Sequence, residues 1–165
     1  MKHALPHFRI AIVGAGAIGL YYGGKLARFG RDVHFLLRSD YDPVRKHGLR
    51  IRSKGENIYV PNVCAYRSTC EIGPSDLVLV AVKTTTNGDL PPLIAPLLGE
   101  KTMILTLQNG LGNEEFLARH FGAARILGGL CFICLTRSAP GAVEQFGSGR
   151  MMLGEFAGLP QPRTH

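Results

Sequence analysis

Three glycines at positions 14, 16 and 19, in the stretch GAGAIG, have the spacing that brings a backbone close to a pyrophosphate. In this pattern Gly14 permits a tight turn. Gly16 lets an anion approach the chain, and Gly19 lets the following helix pack closely on the preceding strand. The free N–H groups and positive end of that helix attract the same anion. Further along, the stretch HFLLRS puts Arg38 where an acid commonly accepts hydrogen bonds from a ribose 2′-hydroxyl. A guanidinium accepts none, but it forks onto a phosphate. The expected ligand is therefore a dinucleotide carrying a 2′-phosphate, NADP(H) rather than NAD(H). The bland alternative for Arg38 is an ordinary surface arginine.

Two more polar residues stand where strands end. Lys83 closes AVK, and lysines are rarely fully buried, so its ammonium is expected to reach into a crevice toward a ribose or a substrate carboxylate. The alternative is a lysine at the sheet edge with its head in water. Asn109 lies in LQNGLGNEE. Asn-Gly is common turn chemistry, and only its position after a strand gives it a functional reading.

The elements that must hold these residues follow from periodicity. FRIAIVG (8–14) is a continuous apolar run, as expected of a central strand buried on both faces. AIGLYYGGKLARFG (17–30) has apolar residues at helical spacing, with Gly30 suited to the helix C-terminus. DVHFLL (32–37) reads as a second strand, which completes a βαβ unit. GLRIRSKGENIYVPN alternates and turns at Lys54–Asn57, like a small hairpin inserted after that strand. SDLVLVAVK (75–83) and KTMILTLQNG (101–110) read as strands, and GDLPPLIAPLLG (88–99) as a short helix with prolines near its first turn. NEEFLARHFG (113–122) reads as a helix with Asn113 as N-cap. The stretch from Ala124 to Phe156 reads as strands separated by Pro-Gly and Gly-Ser-Gly turns, paired antiparallel at a sheet edge. The fold class expected is α/β: a doubly wound, mainly parallel, Rossmann-like sheet with antiparallel edge strands. Ligands on such sheets sit beyond the carboxyl ends of the strands, where Gly14, Arg38, Lys83 and Asn109 all fall.

The chain of 165 residues suits one domain, expected over 1–156, with 157–165 read as a linker. Its formal charge is +7, with Arg38, Arg45, Lys46, Arg50, Arg52 and Lys54 close together. Charge alone does not make a nucleic-acid site, and no zinc pattern, helix-turn-helix or interleaved aromatics accompany it, so none is expected. No apolar run reaches the ~18 residues of a membrane span, and MKHALPHFRI lacks the apolar core of a signal peptide. The expectation is a cytoplasmic protein without a membrane partner. Cys131 and Cys134 have CxxC spacing, but on a strand side chains three apart point to opposite faces. No metal is expected.

Taken together, IAIVGAGAIG, LLRS, DLVLVAVKT, LQNGLGNEE and APGAVEQFGSGRMMLGE resemble the N-terminal domain of ketopantoate reductases over roughly residues 8–156. The resemblance implies NADPH-dependent reduction of the 2-keto group of ketopantoate to pantoate, in pantothenate and coenzyme A biosynthesis. It implies cofactor contacts along Gly14, Ala15, Gly16, Ala17, Ile18 and Gly19, with the 2′-phosphate near Arg38. Lys83 and Asn109 would lie between nicotinamide and substrate, and the backbone around Leu135 against the cofactor. The family's helical C-terminal domain, which would supply the proton-donating lysine, is not recognisable in these residues. The expectation is thus a cofactor-binding half with little or no turnover, with a homodimer as the oligomeric form to look for. A non-catalytic nucleotide sensor and a reductase of another small 2-keto acid stay open.

Overall fold

The structure, a computed structural model, describes residues 8–164. Residues 1–7 and His165 lie outside them, and with them part of the segment read above for a leader peptide. The described chain forms a nine-stranded sheet with helices on both faces. The strands are β1 (Arg9–Val13), β2 (Asp32–Leu36), β3 (Leu49–Ser53), β4 (Glu56–Val60), β5 (Cys64–Tyr66), β6 (Ser75–Val80), β7 (Leu98–Thr106), β8 (Ile126–Ala139) and β9 (Ala142–Glu155). The helices are α1 (Ala17–Arg28), α2 (Tyr41–His47), α3 (Thr69–Ile72), α4 (Leu90–Ile94) and α5 (Asn113–Phe121).

The sheet order is β4-β3-β9-β8-β7-β6-β1-β2-β5. From β5 to β8 every neighbouring pair is parallel, as the strand–helix alternation requires. Alternate residues of β1 feed two separate cores. Ile10 and Ile12 pack with α1 on one face, whereas Ala11 and Val13 pack with α4 and α5 on the other. Ile12 has no exposed surface, and a side chain of that size contributes about 1.5–3 kcal/mol when fully buried.

The antiparallel part of the sheet is arranged differently from the expectation. β8 and β9 form a long ribbon inside the sheet, and β3 pairs parallel with β9 through Arg50↔Ala142, so the hairpin β3–β4 provides the outer edge. The chain leaves β2 near one edge and rejoins the sheet at the other. What makes this favourable is α1, which is roofed by the hairpin. Gly23 of α1 faces Phe35 and Ile12, whereas Gly24 faces Leu49 and Ile51, and a Cβ at either would come within 2.6–3.0 Å of those side chains. Lys25 then pairs with Glu56 at 3.6 Å, and the Tyr21 hydroxyl donates to Gln145 Oε1 at 2.8 Å.

Two further local readings need correction. Gly147-Ser148-Gly149 is a bulge within β9 and not a turn between strands. Phe132 pairs with Arg150 and Cys134 with Phe146, and the Ile133 side chain fills the space beside Gly149. The N-cap of α5 is Gly112, at φ 82°, because Asn113 turns inward and is buried. As expected, the stretch 88–99 holds a short helix, the five-residue α4 flanked by two 3₁₀ turns, with Pro91 and Pro92 in its first turn and Pro96 in the second 3₁₀ turn. At the end of the described chain, Pro162–Thr164 forms a 3₁₀ turn in which Arg163 pairs with Glu155 and donates to the Ala124 carbonyl.

Among the described residues all four cysteines are unpaired, and no cluster of ligand side chains could hold a metal. Cys131 points toward the core beside the Tyr22 hydroxyl and Cys134 points outward, so the CxxC thiols diverge. Among the described residues no helix is long and apolar enough to cross a membrane.

Candidate dinucleotide site

At the carboxyl ends of β1, β2 and β6 the sheet opens into a cleft of about 280 Å³. Its floor is the turn from β1 into α1, which contributes Gly14, Ala15 and Gly16. The three glycines of this turn are glycine for different reasons. Gly14 has φ +107°, and a Cβ there would lie 2.5 Å from the Val82 amide nitrogen. A Cβ on Gly19 would lie 2.0 Å from the Gly14 carbonyl oxygen. Both are required by the protein's own backbone. Gly16 is not: its φ is −76°, and the nearest protein atom to its Cβ position is the Ala81 carbonyl oxygen at 3.9 Å. The space beside Gly16 belongs to the cleft. Gly16 is also the N-cap of α1, which has no side-chain cap and no acid in its first turn. The amide groups of that turn are therefore directed at whatever fills the cleft.

The walls bring together Arg38 and Asp40 from the end of β2, Lys83 from the end of β6, and Arg137 from β8. Three cations against one carboxylate give the lining a formal excess of +2. Arg38 and Lys83 are exposed and form no ion pair among the described residues. Lys83 stands at the start of the 3₁₀ turn Thr84–Asp89, where its carbonyl accepts from the Thr86 hydroxyl at 2.8 Å. Asp40 is buried and accepts from the Ser39 hydroxyl, the Arg137 guanidinium and the Gly141 N–H. The leucine side chains of residues 36 and 93 supply apolar wall.

Of the residues singled out in the sequence, Gly14, Ala15, Gly16, Arg38 and Lys83 share this cleft. Ala17 and Ile18 begin α1 and pack partly against the core, and Gly19 packs on the turn itself. Asn109 is exposed on the loop after β7, outside the cleft lining. It is tied to the Lys83 side through a polar chain. Thr106 donates to Gln108 Oε1 at 3.1 Å, and Gln108 donates to Asn87 Oδ1 at 2.7 Å. Asn87 donates to Asn113 Oδ1 at 3.0 Å, and Asn113 donates to the Asn109 carbonyl at 3.3 Å. Leu135 is half-buried on β8, packed on the core opposite Gln145, and does not line the cleft.

Asp40, Arg137 and the amide chain were not singled out from the sequence. Asp40 stands two residues beyond Arg38 and could have been noticed. Arg137 could not, because 97 residues separate it from its partner.

The comparisons with known proteins agree on the family. The family model described as ketopantoate reductase PanE/ApbA matches residues 10–158. A 2-dehydropantoate 2-reductase of Nostoc is 44% identical over 149 residues, covering 90% of this chain and 47% of that protein. A crystal structure of 2-dehydropantoate 2-reductase from Geobacter metallireducens is 55% identical with a TM-score of 0.92, covering 94% of this chain and 52% of that one. D-mandelate dehydrogenase, solved with NADH and anilino(oxo)acetate, is 25% identical with a TM-score of 0.81, over 91% of this chain and 49% of that one. The chain spans about half the length of the relatives it matches. With its sheet, glycine turn and cationic cleft, this chain belongs to the ketopantoate reductase family.

Proposed function

We propose that the chain, over 1–156, is the nucleotide-binding part of an NADPH-dependent reductase that converts ketopantoate to pantoate. The observation that supports this best is the pairing of two uncompensated cations, Arg38 and Lys83, with a glycine whose Cβ nothing in the protein would obstruct. An anionic ligand explains both. The turn Gly14–Gly16 and the N-terminal amides of α1, from Ala17 to Gly19, hold the pyrophosphate. Arg38 forks onto the 2′-phosphate. When bound, the reduced nicotinamide supplies the hydride for a keto carbon.

Lys83 offers an ammonium to the substrate carboxylate or to the negative charge developing on oxygen. Asn109 orients the reacting groups from the neighbouring loop, held there by the Asn87–Asn113 chain. The backbone near Leu135 borders the cofactor farther along β8. The proton for the developing alkoxide comes from the part of the relatives that this chain does not match. The 165-residue chain accordingly binds nucleotide and turns over little or not at all.

A second reading, a reductase of another small 2-keto acid, draws support from the likeness to D-mandelate dehydrogenase. Titration of NADPH and NADH fluorescence separates the cofactor question from the substrate question. Arg38→Ala should raise the Kd for NADPH by about 10- to 100-fold, as expected on losing charge-assisted hydrogen bonds of about 1.5–3 kcal/mol. The Kd for NADH should move little. Equal effects on the two would overturn the assignment of Arg38, and steady NADPH oxidation with ketopantoate would overturn the expectation of low turnover.

A further inference from the structure

A carboxylate at the tip of the second strand is the group that usually accepts hydrogen bonds from an unphosphorylated ribose. This cleft contains one. Asp40 lines it together with Arg38, yet is only 3% exposed. Its oxygens are already engaged. Oδ1 accepts from the Ser39 hydroxyl at 3.1 Å and from the Arg137 guanidinium, and Oδ2 accepts from the Gly141 N–H at 2.9 Å. Two of these three donors arrive from the β8–β9 ribbon, whose turn thereby closes over the end of β2. Arg137 gives one edge of its fork to Asp40, and its side chain stays 39% exposed at the cleft.

We propose that Arg137 determines nucleotide specificity through Asp40. By neutralising that carboxylate and filling its acceptor sites, Arg137 withdraws the group that would favour a free ribose diol and repel a phosphate. Arg38 is then left as the uncompensated charge at the β2 tip. This rests on the nucleotide reading above. It makes Arg137 a positioning residue rather than a catalytic one, and its mark is the ratio of the two nucleotide affinities.

The test is titration of the chain with NADPH and NADH by fluorescence, beginning with the wild type. Arg137→Met should reduce the preference for NADPH by about 10-fold or more, with NADH binding unchanged or tighter as Asp40 becomes free. Asp40→Asn combined with Arg137→Gln, which removes the charge and its mask together, should return the preference to within about threefold of wild type. That double variant keeps the question answerable if Arg137→Met does not fold, because a lost preference with Asp40 already neutral overturns the inference. Arg137→Met weakening both nucleotides by the same factor also overturns it. A wild-type chain that binds both equally would overturn the reading of Arg38, and this inference with it. A wild-type preference that survives Arg137→Met overturns the inference alone.

Discussion

Placing a methyl group on each glycine of the first turn separates what the fold requires from what the ligand requires. In Gly19→Ala the new Cβ would sit 2.0 Å from a backbone carbonyl oxygen, and neither the helix nor the strand can give way cheaply. Because the clash is with backbone, the cost lies at the upper end of the overpacking range, about 3 kcal/mol or more. For a domain of this size each kcal/mol lowers Tm by about 2–4 °C, so a loss of at least about 6 °C is expected. In Gly16→Ala the nearest protein atom is 3.9 Å away and φ is −76°, which alanine adopts freely. Alanine is a poorer N-cap than glycine, but it also restricts the unfolded chain, a gain of about 0.4–1 kcal/mol. The two effects oppose each other, so Tm should stay within about 3 °C of wild type. NADPH binding should nevertheless fall by at least about tenfold, since the methyl occupies the line of approach to the amides of α1. Melting followed by circular dichroism, with and without NADPH, measures both quantities. If Gly16→Ala binds NADPH like the wild type, or destabilises the chain as much as Gly19→Ala does, the division of roles is refuted.

Below neutrality, stability should be lost only at the acid end. Burial pushes the Asp32 carboxyl up, but the neighbouring His34 and the Arg9 guanidinium outweigh it and hold it below the usual carboxylate range. The hydrogen bond from Arg163 does the same for Glu155. Carboxyls lowered on folding contribute fully above their unfolded values, about 4, and the contribution is lost as pH falls through the folded ones. Tm should therefore be steady from about pH 5.5 to 7 and drop below about pH 4, and Asp32→Asn should make that drop shallower. An unchanged acid slope in the variant would contradict the assignment. The thiols should also divide: Cys64, Cys70 and Cys134 are exposed, whereas burial pushes the Cys131 thiol up despite the hydrogen bond from Tyr22. A thiol reagent at pH 7.5 should modify three cysteines quickly and Cys131 slowly, and fast modification of all four would refute its placement.

Much of this arrangement could be read from residues close together in the chain. β1, the glycine turn, α1 and β2 follow from apolar runs and periodicity within some thirty residues, and the convergence of Gly14, Arg38 and Lys83 follows from each standing at the carboxyl end of a parallel strand. Short elements were harder to see. α2 leaves little trace in the sequence because Pro43 and four charged or imidazole side chains in YDPVRKH hide its one buried residue, Val44. α3 has a capping box, Ser68 with Glu71, but only four residues. The polar chain through Gln108, Asn87 and Asn113, and the pairing of Asp40 with Arg137, depend on loops that meet only in three dimensions. No local pattern records which of several asparagines or arginines will face another. The destination of the β3–β4 hairpin was hidden for the same reason: its own turn is written in Lys54-Gly55, but its neighbour in the sheet is not.

That neighbour has a bearing on how the molecule is made. Arg50 pairs with Ala142, 92 residues later, and at about 5–20 residues per second the ribosome needs about 5 to 20 s to deliver it. During that interval Leu49, Ile51, Ile58 and Val60 have α1 to rest on but no companion strand along the β3 edge. The nascent chain therefore carries an unpaired edge throughout that interval, and the sheet can be zipped shut only when β9 emerges.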